Sequence, residues 1–153
     1  MKIKYFVLLV ATIAVVGVAY YGISPIFRQV RVDEPMPQAS APDRSAQVVA
    51  SATVIDTLAH PASGTAHIIR IGETSYLRYE NFTTLNGPDL YVYLAKDKDA
   101  KEFISLGRVR ATEGNINYEI PAGIDIADYP YALTWCKAFS VLFNYAYFDE
   151  AQI

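Results

Sequence analysis

From residue 50 onward, clusters of turn residues recur at spacings of roughly 8–15 residues, and the runs between them are rich in β-branched and aromatic side chains. The clusters are Pro61-Ala62-Ser63-Gly64, Asn86-Gly87-Pro88-Asp89, Glu113-Gly114-Asn115 and Tyr129-Pro130. Between and around them, residues 53–57, 66–71, 76–80, 90–94, 103–106, 116–120, 132–137 and 141–147 read as strands. No apolar stripe of period 3.6 and useful length occurs in this part of the chain. The pattern predicts an all-β fold, an antiparallel β-sandwich of about seven to nine short strands. Its 104 residues suit one domain spanning 50–153. Period two puts Leu90, Val92 and Leu94 on one face and Tyr91 and Tyr93 on the other, which predicts an interior strand. Residues 96–102 are polar and read as a loop or one helical turn.

The preceding residues obey a different logic. Tyr5 to Ile23 is an uncharged, mostly apolar run of 19 residues. As a helix it would reach about 28 Å, close to the hydrocarbon thickness of a bilayer. The apolar core of a cleaved signal peptide is usually shorter, about 7–15 residues. We therefore read residues 1–28 as an uncleaved membrane anchor crossing once at 5–23. Lys2 and Lys4 before it are balanced by Arg28 and Arg31 after it, so charge gives little orientation. A signal-anchor followed by a long domain would leave that domain extracytoplasmic, periplasmic or extracellular. Residues 29–49 contain Pro35, Pro37 and Pro42 and no apolar period. They read as a flexible linker of about 25 Å that holds the domain off the membrane.

Residues 50–153 carry eight basic and thirteen acidic side chains, a net charge of −5. A nucleic-acid surface needs the opposite sign. No Gly-x-Ser-x-Gly elbow supports a hydrolase, and no glycine-rich loop supports a nucleotide site. Asn86-Gly87-Pro88-Asp89 lacks the acidic series of a calcium loop. It reads as a turn in which Gly87 supplies a positive φ and Asp89 bonds its own backbone. Asn81-Phe82-Thr83 matches the glycosylation sequon, which matters only in a host that glycosylates.

Chemistry concentrates on Cys136, the only cysteine, which sits beside the only tryptophan, Trp135. A lone cysteine closes no intramolecular disulfide, so it is a packing residue, a reactive thiol or a ligand. Free cysteine is most often a small buried hydrophobe. An exposed thiol outside the cytoplasm would risk oxidation, which gives weight to a functional role. In a strand, Cys136 shares a face with Ala132 and Thr134, while Leu133 and Trp135 take the other. His60 and His67 are the only histidines. Their spacing is no zinc signature, and hydrogen-bonding roles are their ordinary use. Either could face Cys136 as an axial ligand of haem iron if folding brings them together. The absence of Cys-x-x-Cys-His excludes covalently attached c-type haem.

Taken together, several segments resemble the DM-thirteen domain, an electron-transfer module that accompanies DOMON domains in Skeletor-type proteins. They are His60-Pro61-Ala62-Ser63-Gly64-Thr65-Ala66, Leu77-Arg78-Tyr79-Glu80-Asn81-Phe82, Asn86-Gly87-Pro88-Asp89-Leu90-Tyr91-Val92-Tyr93-Leu94, Leu106-Gly107, Gly114-Asn115-Ile116-Asn117-Tyr118-Glu119-Ile120-Pro121 and Trp135-Cys136-Lys137-Ala138-Phe139-Ser140-Val141-Leu142-Phe143. Trp135, Gly87, Pro88, Asp89 and Phe139 carry the most specific pieces. The resemblance implies a β-sandwich and a redox role for Cys136, as a free thiol or as the holder of a prosthetic group such as haem, with His60 a further candidate ligand. After Phe143, Asn144 stands where a glycine would be more usual, which bears on the local turn. The expected function is a membrane-anchored redox module that exchanges electrons with another envelope redox protein. The alternative is a binding or scaffolding sandwich with a structural cysteine.

Overall fold

Alternation along 132–136 sorts the side chains as the period of two requires. Ala132, Thr134 and Cys136 are buried between two sheets, while Leu133 and Trp135 lie on the far side. The computed structural model describes residues 2–23, 28–38 and 45–149. Within these, α1 (Lys2–Ile23) is followed by ten strands. They are β1 (Arg31–Asp33), β2 (Gln47–Thr53), β3 (Ile55–Asp56), β4 (Ala62–Ile71), β5 (Thr74–Thr84), β6 (Leu90–Ala95), β7 (Phe103–Arg108), β8 (Glu113–Ile120), β9 (Tyr131–Cys136) and β10 (Val141–Tyr147). One sheet has the order β1-β8-β5-β4-β2 and the other β3-β10-β9-β6-β7. The predicted β-sandwich is correct. Its strands number ten among the described residues, and every pairing is antiparallel except β1 with β8.

The core between the sheets is built from inward residues such as Ile68, Leu77, Tyr79, Phe82, Val92, Leu94 and Ile116. Tyr79 and Phe82 pack ring to ring at 4.6 Å. The Tyr79 hydroxyl is fully enclosed, and burial raises its pKa. The second sheet also carries an outer aromatic layer, where Tyr93 stacks on Phe103 at 4.1 Å and Trp135 is half-buried beside Leu133. Strand β6, flanked by β9 and β7, is interior as its two apolar faces required. Residues 96–102 form a loop, closed by Lys96 N donating to Glu102 O.

The stretch read as a linker behaves differently from a coil. Arg31–Asp33 pairs in parallel with Glu113, Gly114 and Asn115, and β2 begins at Gln47. Around β1 the chain is pinned by side chains. Thr112 Oγ1 accepts from Val30 N at 2.9 Å. Arg78, only 5% exposed, donates from Nη1 to the carbonyl oxygens of Glu34 and Pro35, each at 3.1 Å, and to Asn117 Oδ1 at 2.7 Å. A buried guanidinium needs acceptors, and the strap supplies two of them. Residues 39–44 of the expected linker, Pro42 among them, and the last four residues of the chain lie outside the described residues.

Helix α1 contains a segment, Ile3–Tyr21, long and apolar enough to cross a membrane. None of that segment is buried against the rest of the chain. A helix apolar on all sides finds no cover in water, whereas hydrocarbon satisfies it.

Candidate functional site

Three stretches that are remote in sequence meet at one end of the sandwich. The 57–60 turn, the connection from β5 to β6 and the turn from β9 to β10 wall a pocket of about 350 Å³. His60, residues 85–88, Phe139, Val141 and Phe143 form its lining, which is mostly apolar. Just beneath, Cys136 is packed with Leu90 and Phe143 in a separate small cluster. Cys136 is a free cysteine and is 0% exposed.

Phe143 links the two predicted site residues. Its ring stacks on that of His60, with centroids 3.8 Å apart and planes at 21°. The imidazole is oriented from the other side by Thr57. Thr57 Oγ1 donates to Phe143 O at 2.9 Å and lies 3.0 Å from His60 Nδ1. A hydroxyl has one proton to give, so Nδ1–H of His60 donates to Thr57 and Nε2 keeps its lone pair. Burial lowers the His60 pKa, which favours this neutral form. His67 goes elsewhere: on the outer side of the first sheet, its Nδ1 is 2.7 Å from Ser51 Oγ and its Nε2 is 3.5 Å from Glu80.

The 86–89 turn plays a role the sequence reading did not assign. Gly87 is not in the positive-φ region. A Cβ there would come to 3.0 Å from Leu90 Cδ2 and 3.1 Å from Phe143 Cζ, so glycine gives the turn its close approach to two members of the Cys136 cluster. Asn86 Oδ1, not Asp89, makes the local backbone bond, accepting from Gly87 N at 2.9 Å. Asp89 instead pairs with Arg108, and its carbonyl accepts from Lys137 N at 2.9 Å, which ties this turn to the residue after Cys136. Pro88 and Phe139 are exposed on the pocket rim. Asn144, the departure from the resemblance, is buried in β10 and donates from Nδ2 to Thr84 Oγ1 at 2.9 Å, next to a register shift between Leu142 and Asn144.

Haem held by Cys136 does not fit this arrangement. The thiol is enclosed, it is absent from the pocket wall, and it is packed with Leu90 and Phe143. A thiolate–iron bond would require this cluster to open. Among the described residues, no group of three His, Cys, Asp or Glu side chains is placed to hold a metal ion.

The model of the Electron transfer DM13 family matches residues 54–148. That is well over half of the chain, and the protein belongs to this family. No curated protein and no solved structure matches it.

Proposed function

We propose that the protein is a membrane-anchored electron-transfer module whose domain works on the extracytoplasmic side. In this reading Cys136 is the redox atom, and the pocket is where another envelope redox protein presents its exchanging group. The carrying observation is convergence: His60, Gly87, Phe139 and Phe143, drawn from distant parts of the family match, line one pocket, and Phe143 with Leu90 packs on Cys136. Because the thiol is enclosed, exchange is not by thiol–disulfide chemistry, which needs direct sulfur contact. The Cys136 thiol instead gives one electron across Phe143 to a one-electron acceptor on the partner and its proton to solvent, leaving a thiyl radical that takes both back when the partner is reduced. Membrane attachment is supported by α1, and the side by the usual behaviour of an N-terminal anchor ahead of a long domain.

The test is a titration of the native full-length protein with a one-electron oxidant such as ferricyanide, beside Cys136→Ala. The wild type should consume oxidant reversibly and the variant should not. Protease added to intact cells, or to spheroplasts where the cell has an outer membrane, should cut the chain, as read on a denaturing gel; protection there with cutting only after lysis would refute the proposed side. One observation favours a second reading. Complete burial of Cys136 in an apolar cluster is what a binding or scaffolding sandwich with a structural cysteine would show. A wild type inert to oxidant until unfolded would select it.

A further inference from the structure

The pocket end of the sandwich carries exposed apolar side chains that folding leaves uncovered. Leu58, at the tip of the 57–60 turn, is 108% exposed, and Phe139, at the tip of the β9–β10 turn, is 70% exposed. Lys137 is exposed beside Phe139. The same end holds the chain as it arrives from α1: Asn86, in the pocket wall, donates from Nδ2 to Arg28 O at 2.9 Å. From there Val30 and β1 continue the attachment along the sheet edge.

Chain length then limits where this end can be. Arg28 is five residues beyond Ile23, the last residue of α1. Five residues span at most about 18 Å, however they are arranged. By contrast the Ile71–Thr74 turn is the whole of β4 away, ten residues or about 33 Å. With α1 in a bilayer, the pocket end is therefore held near the membrane surface, while the far end is free to lie farther out. The headgroup layer is about 5–7 Å deep on each side. An aromatic ring, a leucine and flanking cations suit that layer, where apolar groups enter and lysine or arginine meets phosphate.

We propose that the rim formed by Leu58 and Phe139, with Arg28 and Lys137 beside it, docks into the lipid headgroup layer of the membrane that holds α1. This rests on the membrane-anchor reading of α1. The pocket mouth then faces the bilayer, so a redox partner that reaches it is one held in the same membrane, and the exposure of both side chains ends there.

The experiment uses the full-length chain in vesicles of phosphatidylcholine and phosphatidylglycerol. An environment-sensitive fluorophore is placed singly through Leu58→Cys, Phe139→Cys and, as a far-end control, Glu73→Cys, each with Cys136→Ala. Nitroxide lipids labelled at the headgroup and shallow acyl positions should quench positions 58 and 139 at least twofold and leave position 73 unchanged. Vesicle flotation is measured in the same samples. Protein that floats with all three positions unquenched overturns the docking while leaving the anchor intact. Protein that fails to float overturns the anchor and the docking together. A blue-shifted but unquenched signal at 58 and 139 means that a second copy or another protein covers the rim, which also overturns the proposal.

Discussion

The rings of His60 and Phe143 stack at 3.8 Å, and Thr57 bonds both residues, through His60 Nδ1 and Phe143 O. Both rings line the pocket, and Phe143 also packs with Cys136 and Leu90 in the buried cluster. Protonating His60 would place a charge where burial disfavours it, so its folded pKa lies below the ordinary value of 6.5. A group depressed in this way makes the unfolded state the better proton binder. Stability is then highest above pH 6.5 and declines as the pH falls through the folded pKa. Denaturant midpoints measured from pH 7.5 down to 5 should fall for the wild type, and less steeply for His60→Gln.

Cys136→Ser should destabilise the domain by about 1–3 kcal/mol, because the enclosed site offers a hydroxyl no obvious acceptor. Native protein should resist a maleimide and label on unfolding. Rapid labelling of the folded state would show that Phe143 opens readily.

Arg78→Met should cost about 1.5–3 kcal/mol, the range for lost hydrogen bonds to a charged group. The carbonyls of Glu34 and Pro35 lose their donor, so limited proteolysis should cut within residues 30–38 sooner than in the wild type. A protease pattern unchanged by the substitution would mean that β1 holds the strap alone.

Gly114 has φ +110°, and a Cβ there would collide with Val32 O. Gly114→Ala should therefore expel β1 and strain β8, at about 1–3 kcal/mol. Hydrogen exchange should quicken at the amides of β1 and its neighbours while β4 and β5 stay protected.

Much of the sandwich is legible because its strands alternate cleanly. Ala132, Thr134 and Cys136 face inward and Trp135 outward on the period of two alone. Strand β1 carries no such signal. Three residues cannot show a period, and its partner is 82 residues away, so its position is decided by an unpaired sheet edge and by Arg78. The start of β2 was hidden by its small and polar residues, Gln47, Ala50, Ser51 and Ala52. At the site, Cys136 and His60 could be named as candidates from residue type. Their connection through Phe143 could not, because it depends on β10 reaching back beneath the 57–60 turn. Thr57 had a faint local signal, a hydroxyl three residues before a histidine in a turn. Gly87 was misread because a glycine needed for closeness and one needed for positive φ look alike in a sequence.

The early placement of β1 has a consequence for shedding. It stands ahead of residues 39–44, on the side of the chain that continues to α1. A protease cutting there would sever the covalent link between helix and sandwich. The amino-terminal fragment would nevertheless keep its pairing with β8 and its bonds to Arg78 and Thr112. The cut domain would thus part from the helix only as fast as that short strap dissociates, so clipping and release would be separate events.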